Sequence, residues 1–258
     1  MNLKLENKTA LITGSTKGIG FAIARVLAAE GANVIVNGRS KDSADEAARK
    51  IGSNARGIAA DVSTAAGCAS LVVQAGAVDI LVNNAGIFEP KAFAEIPDAD
   101  WERFYQVNVM SGVRLTRAFF PGMLERNWGR VVFISSESGV QIPEEMIHYG
   151  MTKAAEIALV NGLARLTKGT GVTVNAVLPG PTASEGVTDF VNTLATDAKQ
   201  SAEDFEKAFF RSVRPTSLLQ RFATVDEVAD TVAFLSSPLA SATNGAAVRV
   251  DGGVVRTT

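Results

Sequence analysis

The sequence predicts a single α/β domain, a doubly wound parallel sheet of seven strands with helices on both faces. Three observations carry that expectation. Short β-branched runs alternate with longer Ala-rich stretches from end to end of the 258 residues. Most of the short runs are apolar nearly throughout, as parallel strands covered on both faces are. No Pro/Ser-rich linker, internal repeat or low-complexity segment interrupts the rhythm, and one α/β domain of this length is routine.

The first strand falls at 8–13 (KTALIT), and the glycine-bearing stretch 13–20 (TGSTKGIG) leads from it into a helix over 18–30. A second strand at 33–37 and a helix at 42–51 follow, then a strand at 57–60 and a helix at 64–75. That third helix has little room, because Val78 follows Val62 by only 16 positions. Strands at 79–82 and 130–135 flank a long helix at 99–122. A helix at 149–168 feeds the sixth strand at 172–178, and a helix at 225–235 feeds the seventh at 246–250. The segment 183–217 is too long for a plain connection. It spaces Phe190, Leu194, Phe205, Phe209 and Phe210 as amphipathic helices do, which fits a packing excursion, an oligomer contact or a lid over a substrate cleft.

Composition narrows the chemistry. With 25 Lys and Arg against 27 Asp and Glu, the net charge of -2 offers no basic field for nucleic acid or an anionic membrane. One Cys (Cys68) and one His (His148) leave no disulfide framework, no Cys-rich or multi-His metal site, and no triad that avoids His148. No apolar run reaches 18 residues and none precedes the first strand, so the expected setting is cytoplasmic, without a membrane.

The glycine stretch fits a phosphate cradle. Gly14, Gly18 and Gly20 permit a tight turn, close approach of a ligand and close helix–sheet contact. Ser15, Thr16, Lys17 and Ile19 complete the loop, and the helix N-terminus behind it offers free N–H groups to a pyrophosphate. A plain turn also uses three glycines; the position between strand and helix favours a dinucleotide. After the second strand stands Asn37-Gly38-Arg39-Ser40, with no carboxylate to take a ribose 2′-hydroxyl. Arg39 presents a planar fork suited to a 2′-phosphate and Lys17 adds a second cation, so NADP(H) is expected over NAD(H). The alternative for Arg39 is a solvated loop side chain.

Residues 149–153 (YGMTK) place Tyr149 and Lys153 one turn apart on a helix face. A phenol titrates near 10, too high for ready proton exchange at neutral pH. A cation about 4–6 Å away favours the phenolate and makes the tyrosine a usable acid or base. Ser136 lies 13 residues upstream, at the end of the fifth strand, where its hydroxyl can meet the same substrate oxygen. Ser138 is the competing serine. Tyr105, the other tyrosine, has Val109 rather than a cation four residues on.

On these residues the chain resembles the short-chain dehydrogenase/reductase family, in its single-domain branch with the Rossmann fold. The resemblance runs from TGSTKGIG through Asp61-Val62, Asn83-Asn84-Ala85-Gly86, Asn108, Ser136, Tyr149-x-x-x-Lys153 and Pro179-Gly180 to Val250-Asp251-Gly252-Gly253. It implies that Tyr149 exchanges the proton, Ser136 orients the substrate oxygen, and Lys153 holds the nicotinamide ribose and depresses the tyrosine pKa. It implies that Asn108 anchors a water in a proton relay from Lys153. Asp61 and Val62 would flank the adenine, although Asp61 also suits a turn cap. Asn83, Ala85 and Gly86 would border the adenosine ribose, Pro179, Gly180 and Thr182 the nicotinamide carboxamide, and Ser184 the pyrophosphate. A homotetramer is implied as well.

The expected activity is NADP(H)-dependent interconversion of a ketone and a secondary alcohol, on a small and largely hydrophobic substrate. Phe88, Gln141, Ile142, Met146, Thr188 and Phe190 are the pocket candidates. The rivals are a 3-oxoacyl-[acyl-carrier-protein] reductase and a non-catalytic nucleotide sensor or scaffold. Against the first stand Asn127 and Thr170, where carrier-docking arginines occur in such reductases, although Arg126, Arg130 and Lys168 are close by. Against the second stands the intact Ser/Tyr/Lys set. His148 is expected at the surface or the pocket rim, because helix neighbours face different directions.

Overall fold

The computed structural model describes residues 2–185 and 201–257. Its strands are β1 (Thr9–Ile12), β2 (Asn33–Gly38), β3 (Ala55–Ala59), β4 (Ile80–Asn83), β5 (Gly129–Ile134), β6 (Val172–Pro179) and β7 (Ala247–Val250). They form one parallel sheet in the order β3-β2-β1-β4-β5-β6-β7. Every residue of β5 and β6 is buried, because helices cover both faces. One face packs α1 (Gly18–Ala29) and α8 (Val225–Ser236) through Leu27, Val228 and Val232. The other packs α3 (Ala65–Ala75), α5 (Ser111–Glu125) and α6 (Ile147–Arg165) through Leu71, Leu115, Phe119 and Val160. The strand order reverses between β1 and β4, which opens a crevice at the carboxyl ends of those strands.

The cramped third helix still makes a full α3. Thr64 caps it by accepting from the Gly67 amide at 3.0 Å. A side chain at position 67 would overlap the Asp61 carbonyl, so glycine lets the helix start tight against the strand. The remaining helices are α2 (Lys41–Ile51), α4 (Asp98–Phe104) and α7 (Ala202–Ser212).

Two expectations change. The stretch read as one helix over 99–122 is α4, a π-helical stretch at Tyr105–Met110, and α5. The irregular turn holds Asn108, whose amide is drawn to the Ile87 backbone on the β4 side. His148 is not at a rim. It is fully buried, 4.0 Å between centroids from Phe104 and 5.9 Å from Trp101, because α4 folds over the start of α6. Among the described residues neither ring nitrogen has a hydrogen-bond partner, and burial pushes its pKa down, so it packs as a neutral imidazole.

In the region read as a lid, α7 is amphipathic, with Phe210 buried and Phe209 stacked on Phe222 at 5.2 Å. Thr188, Phe190 and Leu194 lie outside the described residues.

Candidate active site

The glycine loop is held by its neighbours through the backbone. Gly14 and Gly18 take φ values of +59° and +60°, which side chains rarely adopt. A Cβ on Gly20 would stand 2.6 Å from the Gly14 carbonyl and 2.5 Å from the Asn84 amide. The Asn37 side chain, buried at the end of β2, accepts from the Gly14 amide at 3.3 Å and donates to the Ala60 carbonyl at 3.1 Å. Ser15 and Asn37 exchange two further bonds, from Ser15 N to Asn37 O and from Asn37 N to Ser15 Oγ. Thr13 Oγ1 accepts from the amides of Asn84 and Ala85, each at 2.9 Å, which straps Ala85-Gly86 beside the loop. Lys17 is the N-cap of α1 and its side chain makes no capping bond. Lys17 and Arg39 are exposed, Thr16 half-buried.

The remaining residues of this side spread outwards. The Asp61 carboxylate accepts from the Ser63 amide at 3.0 Å, capping a turn rather than α3. Val62 is buried under the Cys68 thiol. Asn83 turns away from the crevice and donates to Thr116 on α5 at 3.1 Å.

Across the crevice, Ser136 stands two residues after β5 and caps a single 3₁₀ turn, Glu137–Gly139. Tyr149 and Lys153 rise from the first turns of α6, with Lys153 Nζ 5.7 Å from the tyrosine ring centroid. Asn108 completes the group: its Nδ2 donates to Thr152 Oγ1 at 2.9 Å and to the Ile87 carbonyl at 3.0 Å. The Tyr149 phenol lies above its ordinary value. Burial raises it, and the Lys153 ammonium and the neighbouring Ser136 hydroxyl pull it down only in part. The depression expected from Lys153 alone is therefore outweighed in this ligand-free state. Burial also works to lower the Lys153 value, but Glu156 and Tyr149 overcome it and hold the ammonium above its ordinary range.

Part of this set shares one cavity of about 430 Å³, whose lining does not include Gly14, Lys17, Gly18, Arg39, Asp61, Val62, Asn83 or Asn108. Ile19, Gly86, Ser136, Tyr149, Lys153, Pro179, Gly180, Thr182 and Ser184 line it, so both halves of the expected site meet there. Phe88 and Met146 are on its wall, whereas Gln141 and Ile142 are not. The wall also holds an ionic cluster that sequence reasoning missed. Glu137, 4% exposed, accepts from Ser136 Oγ at 2.6 Å, from Ser138 Oγ at 2.7 Å and from Arg214 Nε at 3.1 Å. Arg214 also reaches Glu145 at 3.1 Å. Phe205, Phe209, Val213 and Phe222 form the facing apolar wall. Glu137 stands directly after Ser136, a signal that was available; nothing local marks Arg214, 77 residues away. Asn37 and Glu156 were missed too, although each adjoins a motif residue in sequence or on its helix face.

The arrangement sets a phenol, a hydroxyl and an ammonium on the wall of one crevice. The profile of the short chain dehydrogenase family matches residues 8–195, and the chain belongs to that family. It is an NAD(P)-dependent enzyme acting on CH–OH groups. It is 49% identical to the oxidoreductase YvrD of Bacillus subtilis strain 168, over 99% of each chain. It is 36% identical to the 3-oxoacyl-[acyl-carrier-protein] reductase FabG of Aquifex aeolicus, over 98% of this chain and all of that one. L-Sorbose reductase from Gluconobacter frateurii, solved with NADPH and L-sorbose, superimposes with a TM-score of 0.95 at 32% identity, each chain fully covered. Among the described residues no helix is long and apolar enough to cross a membrane.

Proposed function

We propose that the protein interconverts a small ketone and its secondary alcohol with NADP(H), Tyr149 serving as proton donor or acceptor. The observation that carries this reading is the convergence of Ser136, Tyr149 and Lys153 on one cavity with Gly86, Thr182 and Ser184. The chain's own residues fit the dinucleotide. Gly14 and Gly18 have the positive φ of a phosphate cradle, Gly20 leaves no room for a side chain, and the α1 N-terminus has no side-chain cap. Gly14, Ser15, Thr16, Lys17, Gly18, Ile19 and Ser184 would hold the pyrophosphate region. Asp61, Val62, Asn83, Ala85 and Gly86 would border the adenosine, and Pro179, Gly180 and Thr182 the carboxamide. Arg39 and Lys17 favour the 2′-phosphate form. When bound, NADP(H) supplies or accepts the hydride.

In reduction Ser136 orients the carbonyl oxygen and Tyr149 gives it a proton; in oxidation both roles reverse. Lys153 favours the phenolate, and Asn108 fixes the backbone around Ile87 at the edge of that proton path. The cavity suits a substrate with an apolar body against Phe205, Phe209 and Phe222 and a polar end towards Glu137 and Arg214. L-Sorbose, bound in the structural neighbour, is a ketone hydroxylated on each remaining carbon and matches only the polar end, so the expectation of a largely hydrophobic substrate narrows to one face of the pocket. Segment 183–217, of which 186–200 lie outside the described residues, would act as the substrate lid. The acyl-carrier reading loses a docking candidate, since Arg130 is buried and spends its guanidinium on the Gly129, Gly171 and Ser237 carbonyls.

The test is steady-state NADPH oxidation over ketones, ketoacyl thioesters, hydroxyketones and quinones. Tyr149→Phe lowers turnover by about 10²–10⁴ and leaves NADPH binding nearly unchanged. Full turnover in that variant would falsify the mechanism, and binding without turnover on every class would favour the sensor.

A further inference from the structure

Glu156 has no part in the chemistry described so far, yet it sits at its centre. It lies three residues beyond Lys153 on α6, is 2% exposed, and places both carboxylate oxygens 3.1 Å from Lys153 Nζ. The third contact of that ammonium is the Ile134 carbonyl at 2.8 Å. An ammonium has three protons, so this set is enough to occupy Lys153 completely. Just after β5 the Ser135 hydroxyl donates to the Lys153 carbonyl at 2.8 Å, locking that turn of helix. The charge that would favour the phenolate of Tyr149 is thus met by a counter-charge inside the same buried pocket.

We propose that Glu156 is a positioning residue for the reaction: as the buried counter-ion of Lys153 it sets how much of the lysine's positive charge Tyr149 feels. The inference rests on the reading of Tyr149 as proton donor. Burial pushes the Glu156 carboxyl up to about 7, against the pull of Lys153 and Ser135. Its charge therefore varies across the neutral range. When Glu156 is ionised, it opposes formation of the phenolate; when it is protonated, the ammonium acts unopposed. The charges facing this group are Lys153 from its own helix and, across the phenol, the Glu137 carboxylate from the 3₁₀ turn, which is itself paired with Arg214.

The chain has two tyrosines, and Tyr105 is 42% exposed. The Tyr105→Phe variant leaves Tyr149 as its single tyrosine, so tyrosinate absorbance against pH reports Tyr149 alone and needs no substrate. In that background Glu156→Gln moves the ionisation of Tyr149 to lower pH by about one unit, roughly tenfold in its acid constant. Glu156→Met, similar in volume and uncharged, shifts it the same way, whereas Glu156→Asp keeps the parent curve. A merely structural role would alter stability without moving this titration in one direction for both neutral variants. Superimposable curves for folded Gln and Met variants overturn the proposal. Full turnover in Tyr149→Phe would break the catalytic reading while leaving this titration as it stands, so the two failures are distinguishable.

Discussion

The two walls of the crevice are built by different means. The wall from β1 to Gly20 is made of backbone: positive φ at Gly14 and Gly18, main-chain bonds between Ser15 and Asn37, and a space at Gly20 that only hydrogen fills. The wall from β5 through α6 to Phe222 is made of side chains. Ser136 is held by Glu137, Glu137 by Arg214, and Lys153 by Glu156, all of them buried or nearly so. The first wall can bind the parts of a ligand common to all dinucleotides, because N–H groups carry no identity beyond their direction. The second can discriminate between substrates, because its polar atoms are few, desolvated and fixed in place. The comparison predicts that damage to the second wall is electrostatic and long-range, and damage to the first steric and local.

The largest effect is expected where a buried pair is broken. Arg214 and Glu137 have side chains only 11% and 5% exposed. Arg214→Leu leaves Glu137 desolvated without its partner, at a cost of about 3–5 kcal/mol in the free energy of unfolding by urea. Replacing both residues by leucine recovers much of that loss, since the uncompensated charge goes with it. A loss under about 1 kcal/mol for the single variant would make the cluster equivalent to a surface pair and remove the contrast between the walls.

A smaller, steric effect is expected at the loop. The Cβ of Gly20→Ala would approach the Gly14 carbonyl to 2.6 Å and the Ser15 Cα to 2.9 Å, both of them backbone atoms with little freedom to yield. Overpacking of this kind costs about 1–3 kcal/mol, and here it also strains the Gly14 and Ser15 backbone that is bonded to Asn37, so NADPH affinity is expected to fall alongside stability. Gly162→Ala on α6 is the control. It meets nothing within 4 Å, and alanine in a helix interior stabilises by roughly 0.5–1 kcal/mol. If both substitutions behaved alike in thermal unfolding and NADPH titration, the close fit at Gly20 would be unimportant.

The same difference explains what could be read from the sequence. The seven strands, the loop and the Tyr149/Lys153 face follow from local rules, namely apolar runs, glycine spacing and one turn of helix. Those rules act within a few residues, and they were sufficient for the sheet and for the residues that meet in the cavity. The π-helical stretch at Tyr105–Met110 depends on Asn108 finding Ile87, 21 residues away. The burial of His148 depends on Phe104 and Trp101 folding back over α6. Arg214 joins Glu137 only once α7 is in place. These features come from tertiary pairings that no local spacing announces. Glu156 is the exception. Its place three residues after Lys153 was legible, and only its burial was needed to show what it does to the charge there.

Arg39 is a side chain on the wall made of backbone. It is exposed, next to the end of β2, and the buried Asn37 and Gly38 before it are tied into the sheet. Its guanidinium is thus anchored at its root and solvated at its tip. An exposed charge-assisted contact of this sort to a 2′-phosphate is worth about 1 kcal/mol, so Arg39→Ala weakens NADPH by roughly five- to tenfold and leaves NADH unchanged. Because the contact faces solvent, the difference between the two cofactors narrows as salt is raised. Fluorescence titration of each cofactor at two ionic strengths measures both quantities. A loss equal for NADPH and NADH would mean that Arg39 supports the loop rather than reading the phosphate, and the choice of cofactor would then pass to Lys17.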